Sequence, residues 1–391
     1  MDYTAGRRNK LIEYSLYLGC LLSNISQLPV FVRAGMTQNF AFPGWILLAI
    51  AILLSKNIKI HNSAMRQIEL GVLLVLWLLI DSLFVLKSQF SSSMFYSYAI
   101  SLFVFLLGTF SSNYIEKRVL GNINIIYIVT MLLVTGNIFF EYFGVGYNLA
   151  TRVYAYSSKN SVSQLIFTTV ILLLVWFKPQ KAFWRIIKVI AIVFEVYVIL
   201  LLRSRATLIS IILCVLVMIF AKDTNKKLKT AISVVGIVVI ILLFTNDSFN
   251  NFIFNNVLFA GRNVTNLDDL TSGRVKIISS FPQMISGNWF TGLGPTYYEC
   301  FPLSAILQFG LIGGVLCIII SLQPLRKSFK FRHYSDEWYL LFLIAIGYTI
   351  NGLFEGLTPF GPGVKCYYLW LLFGLLIGQQ SMSAREGTYV V

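Results

Sequence analysis

Histidine is almost absent from this chain: His61 and His333 are the only two. That shortage argues against a histidine-based triad or metal site, each of which needs imidazole beside carboxylates or thiolates. Cysteine is scarce as well. Cys20, Cys214, Cys300, Cys317 and Cys366 form no CxxC pair and show no metal-ligand spacing. Charge is the third shortage, since only 12% of the residues are Asp, Glu, Lys or Arg, about half the share in a soluble domain. Neither GxxxxGK[ST] nor a GxGxxG after a strand is present, so ATP-driven chemistry has no support.

What fills the chain is apolar. Hydrophobic residues make up 57% of it and the mean hydropathy is +0.76. The expectation is an all-α polytopic membrane protein forming one integral domain over residues 1–391. The first apolar run lacks a small-residue cleavage site and reads as a first span. With about 20 apolar residues per span, about twelve windows qualify: 11–32, 40–55, 68–86, 94–110, 122–143, 163–177, 185–202, 206–221, 230–245, 303–322, 338–354 and 364–379. Only "RSRA" separates the seventh from the eighth, so they form a tight hairpin or one broken helix.

The net charge of +15 fits orientation rather than nucleic-acid binding. With a cytoplasmic N-terminus, about 21 Lys and Arg fall inside and about 10 outside, as the positive-inside tendency requires. Both termini then lie in the cytoplasm. One outer segment, 246–302, stands apart as a polar loop rich in Asn, Gly and aromatics, and a long ordered loop usually carries function.

Topogenesis explains the inner basic residues and not the outer ones. The outer set includes Arg152, Lys159, Arg203, Arg205, Arg274 and Lys276. Arginine's planar fork gives two parallel hydrogen bonds to phosphate oxygens, which suits a diphosphate at the membrane surface. A single outer arginine also fits a snorkelling side chain at headgroup level, and Lys276 a solvated charge. Arg203 and Arg205 stand together at the tip between two spans.

Acids outside are few: Asp247, Asp268, Asp269, Glu299 and Glu355, with Asp81 and Glu141 near span ends. Glu299 precedes Phe301, Pro302 and Leu303 at the start of a span. Burial or an arginine there would tune its proton affinity for work on a sugar hydroxyl; a plain helix-N-terminal acid is the alternative. Asp268 and Asp269 lack a third ligand nearby and read as surface charges. Glu195 lies in mid-span, where an acid is costly, and pairing with a polar group on another span is the preferred reading.

Motif order then points to a family. An outward "RSRA" is followed by "SGR" in the large loop, by W-x-x-G-L-G-P, and by E-x-x-P-L-x-x-I-L-Q-x-G-L-I-G entering a span; upstream stands "RVYAYSSKNSVSQ" (152–164). Over roughly 150–320 the chain resembles the O-antigen ligase and polymerase superfamily. Ligases of that family typically carry a histidine where the large loop re-enters the membrane, and here that position is Glu299. The resemblance therefore favours the Wzy-type polymerase branch over the ligase.

The resemblance implies a lipid-sugar glycosyltransferase (GT-C-like) fold, no nucleotide sugar and no metal or other cofactor. It implies a bacterial inner membrane location with the site facing outward. Donor and acceptor would be undecaprenyl-diphosphate-linked oligosaccharides, O antigen or capsule, with a chain-length regulator as a possible partner. Arg203, Arg205 and Arg274, helped by Arg152, would bind the diphosphate. Glu299 would position or deprotonate the acceptor hydroxyl. Lys159 and Asn160 belong to the substrate-binding set, and Tyr297, Tyr298 and Trp289 would stack on sugars or anchor at the interface. A flippase-type carrier is the rival from another class. Carriers usually show two related halves, which this sequence lacks, and Glu195 alone favours one.

Overall fold

The computed structural model describes residues 3–55, 62–85, 92–143, 159–221, 226–259, 274–361 and 363–383. Among them the chain is helical, with no strand. Lipid explains that choice: a backbone without water must satisfy its own hydrogen bonds, and a helix does so within one segment.

In chain order the helices are α1 (Tyr3–Ile25), α2 (Pro29–Arg33), α3 (Thr37–Leu53), α4 (Asn62–Ile80), α5 (Ser92–Ser111), α6 (Lys117–Ile138), α7 (Lys159–Ile171) and α8 (Ala182–Leu201). There follow α9 (Arg205–Phe220), α10 (Lys226–Thr245), α11 (Asp247–Asn251), α12 (Arg274–Met284), α13 (Phe301–Ser321), α14 (Gln323–Phe331), α15 (Asp336–Gly352) and α16 (Tyr367–Ser383). Every expected apolar window coincides with a helix. By length and composition, however, three helical stretches among the described residues are able to cross a membrane: Lys117–Glu141, Lys159–Trp176 and Phe301–Phe331. A fourth is the pair Lys229–Thr245 and Asp247–Asn255 if that bent pair, with its 99° bend, is one span. Arg205–Phe220 and Thr37–Leu53 are apolar but shorter.

The segment 246–302 is not one open loop. It holds α11, a π-helical turn over Phe252–Leu258, and α12. Its "SG" before Arg274, together with Asp268 and Asp269, lies outside the described residues.

The centre of the protein is α15 and α16, whose residues are buried on nearly every side. An apolar helix covered all round belongs to a core. Ser335 caps α15 by accepting from the Trp338 amide, and Asp336 and Glu337 in its first turn suit the positive end of the helix dipole. Helix α16 lies so close to α5 that a Cβ on Gly374 would stand 2.3 Å from the Phe105 carbonyl, so only glycine fits there. The periphery is apolar too: Val235, Ile237, Phe220, Phe244, Leu133 and Phe140 are exposed. An exposed apolar surface of this extent marks contact with a membrane or a partner rather than with water.

Candidate functional site

The stretch Trp289–Thr296 is fastened to α13 by a clasp. Within α13 the backbone breaks at Gly310, with φ 66 and ψ −174. A break frees carbonyls of the preceding turn, and buried carbonyls need partners. The stretch Trp289–Pro295 supplies them: the Leu293 amide donates to the Leu307 carbonyl at 2.7 Å and the Gly294 amide to the Gln308 carbonyl at 3.2 Å. In return the Leu311 amide donates to the Trp289 carbonyl at 2.7 Å. Gln308 adds a side-chain bond to the Thr296 carbonyl at 2.9 Å. Leu307 also packs in a small buried cluster with Phe281, Ile285 and Tyr298.

The clasp ends five residues before α13 begins at Phe301, and Glu299 lies in that short bridge. Its Oε2 accepts from Arg274 Nη2 at 2.9 Å. Arg274, the first residue of α12, also donates to the Phe354 carbonyl at 3.3 Å and lies 5.5 Å from the Phe354 ring centre. The pair is therefore held against the segment that follows α15.

The described parts of that segment, 353–361 and 363–366, fold back into the protein. Phe360 is fully buried between Tyr98, Phe301 and Trp370. Next to Phe354 comes Glu355, which is buried. Its Oε1 accepts from Asn160 Nδ2 at 2.6 Å, and its Oε2 lies 3.9 Å from Lys365 Nζ. Burial raises the pKa of Glu355 above its ordinary value; Lys365 opposes that rise and Glu299 adds to it. Tyr297 stands between the two acids, its hydroxyl turned to the Gly356 backbone. Its pKa is pushed up to about 12 by burial around that hydroxyl and by Glu355 and Glu299.

The arginine doublet joins the same end of α15. The chain breaks between α8 and α9, and Arg203 takes φ 52 there, the only non-glycine residue with positive φ among the described residues. Arg203 is buried and Arg205 half-buried. Helix α9 then runs along α15 through small polar contacts. Thr207 Oγ1 donates to Asn351 Oδ1 at 3.3 Å, Asn351 Nδ2 donates to Ser210 Oγ at 2.8 Å, and Ser210 Oγ donates to the Gly347 carbonyl at 3.1 Å. Asn351 lies one turn before Phe354 and Glu355, so "RSRA" and the Arg274–Glu299 pair share one helix end. The N-terminus of α9 adds its own partial positive charge.

The structure thus brings together Arg274, Glu299, Tyr297, Glu355 and Asn160, while Arg203 and Arg205 stand at the start of α9, whose Thr207 reaches Asn351 near the end of α15. Lys159 is the first residue of α7, beside Asn160. Arg152 lies outside the described residues. Tyr298 is only 4% exposed, its ring 6.1 Å from Phe281, so it serves packing and not sugar stacking. Trp289 is exposed and sits edge-on to Phe281 at 6.1 Å, inside the clasp. Lys276 is exposed. Glu195 is fully buried with the Thr135 hydroxyl of α6 beside it, and neither carboxylate oxygen has a hydrogen bond.

Glu355 and Lys365 were missed as site residues. Their signal in the sequence is position: they flank a Gly- and Pro-rich stretch, Glu355 just after the apolar window 338–354 and Lys365 at the start of the window 364–379. Among the described residues, no group of three or more His, Cys, Asp or Glu is placed to hold a metal ion. What these residues can do together is bind an anion with arginine and a helix terminus, and exchange a proton through a buried carboxylate. Neither a scan against protein-family models nor a search of curated proteins finds a match for this chain.

Proposed function

We propose that this chain is a membrane glycosyltransferase that polymerises lipid-linked oligosaccharide repeat units. A growing glycan on undecaprenyl diphosphate is transferred to a terminal sugar hydroxyl of another lipid-linked unit. The proposal includes about twelve spans in a GT-C-like arrangement, both termini in the cytoplasm, and a site on the outer face of the bacterial inner membrane.

The observation that carries the reading is the Arg274–Glu299 contact at 2.9 Å, set at the helix end that also receives Arg203 and Arg205. A transfer from a lipid diphosphate needs positive charge where the leaving group becomes more negative, and a carboxylate near the attacking hydroxyl. Preorganised arginines in a low-dielectric site supply the first without reorganisation during reaction. The arginines bind the diphosphate, and Glu299 holds Arg274 in place for it. Tyr297, exposed beside both acids, offers a ring face to a sugar.

Deletion of the gene tests the proposal. One repeat unit on its lipid carrier, with long polymer lost, is the expected intermediate. Normal long polymer from both Arg203→Ala and Glu299→Ala would sink it.

A further inference from the structure

We propose that Glu355 is the carboxylate that takes the proton of the acceptor hydroxyl, held for that task by Asn160 and Lys365, while Glu299 acts only through Arg274. The inference rests on the polymerase reading and deepens it by dividing two neighbouring acids between the two substrates.

Glu299 is committed to a guanidinium at 2.9 Å, and a charge-assisted bond of that kind fixes the carboxylate on the arginine it orients. Glu355 is arranged differently. Asn160 holds one of its oxygens at 2.6 Å, which fixes the carboxylate plane and leaves the other oxygen for a further donor. That oxygen faces Lys365 Nζ at 3.9 Å, beyond hydrogen-bond range. The Lys365 side chain is fully buried and its ammonium makes no hydrogen bond, a costly arrangement in a dry interior. A hydroxyl oxygen placed about 2.8 Å from each group satisfies both. It donates to Glu355 and accepts from Lys365, so the lysine polarises the O–H that the glutamate receives. Burial favours the protonated product of that transfer.

The step balances with groups already named. The acceptor O–H proton moves to Glu355. The hydroxyl oxygen forms a bond to the anomeric carbon of the donor. The bond from that carbon to the diphosphate oxygen breaks, and its electron pair stays on the diphosphate, facing the arginines. Glu355 then returns its proton to water. No oxidant or reductant takes part.

The test uses the full chain in nanodiscs. Lipid-linked repeats extracted from the deletion strain serve as donor and acceptor, and undecaprenyl diphosphate alone serves as the binding probe. Glu355→Gln is expected to slow elongation by about 100-fold or more and to leave undecaprenyl diphosphate affinity within about threefold of the parent. Glu299→Gln is expected to weaken that affinity, because Arg274 loses its anchor. Lys365→Met is expected to slow elongation with affinity retained, which keeps the proposal testable if the Glu355 variant does not fold. Elongation by Glu355→Gln within about threefold of the parent overturns the assignment, and so does a fall in affinity equal to the fall in elongation. A parent protein that neither elongates the repeats nor binds undecaprenyl diphosphate overturns the polymerase reading itself.

Discussion

The Leu293 amide donates to the Leu307 carbonyl at 2.7 Å, three residues before α13 breaks at Gly310. This bond ties the stretch before Glu299 to the helix that Glu299 precedes, so the acid's position depends on the break. At Gly310 the backbone combines φ 66 with ψ −174, a region that glycine alone enters readily. A Cβ there would stand 1.9 Å from the Phe290 carbonyl oxygen. Gly310→Ala is therefore expected to lower stability by about 3 kcal/mol or more, from strain and clash combined. Thermal unfolding of the purified protein checks it, and an unchanged melting temperature would show that the clasp is dispensable.

Arg203 allows side chain and backbone to be separated. Its φ of 52 is a conformation that costs an ordinary L-residue about 1–2 kcal/mol and glycine almost nothing. Arg203→Gly is thus expected to fold at least as well as the parent and yet lose undecaprenyl diphosphate binding. Arg203→Ala keeps the backbone cost, and is expected to lose the same binding and to melt lower than the glycine variant. The comparison of the two melting curves with the two affinities checks the point. Equal affinity in parent and glycine variant would remove Arg203 from the diphosphate site.

Much of this was legible in the sequence. Apolar windows gave the helices because a backbone in lipid has few alternatives. The "RSRA" doublet stood out because two arginines interrupt an apolar run, and Glu299 because an acid stands just before an apolar window. Two things were not legible. The partner of Glu299 is Arg274, 25 residues earlier, and no local pattern announces a contact across a clasp that depends on one glycine. Glu355, Asn160 and Lys365 come from three separate elements, and only the folding of 353–361 and 363–366 back into the core brings them together. The reading of Tyr298 as a sugar platform failed for a related reason. Tyr297 and Tyr298 are neighbours in sequence, but one faces the acids and the other the Phe281 cluster.

Stability should respond to pH through Glu355. Glu355 has a raised pKa in the folded chain, so the folded state holds this proton where the unfolded state has lost it. Its contribution is present below the ordinary carboxylate value and is lost as pH climbs through the raised one. Glu355→Gln is expected to flatten that loss on the acid-to-neutral side. Melting temperatures across a pH series, parent against variant, decide it. Parallel curves for parent and Glu355→Gln would show that Glu355 does not titrate differently on folding.

Glu195 gives the prediction that separates an enzyme from a carrier. It is fully buried, with neither carboxylate oxygen hydrogen-bonded. It stands eight residues before Arg203 in the sequence, about 12 Å along the chain's helical rise, and so away from the arginines. A buried carboxylate with only the Thr135 hydroxyl beside it costs free energy that an apolar side chain of similar size does not. Glu195→Leu is therefore expected to raise stability by about 1–3 kcal/mol and to leave polymer length unchanged. A carrier that moves a proton with its cargo would need this acid, and the same variant would then abolish export while melting at the higher temperature. Chain-length profiles and melting curves of this one variant, taken together, tell the two apart: long polymer with a raised melting temperature supports the enzyme, and lost polymer with a raised melting temperature supports the carrier.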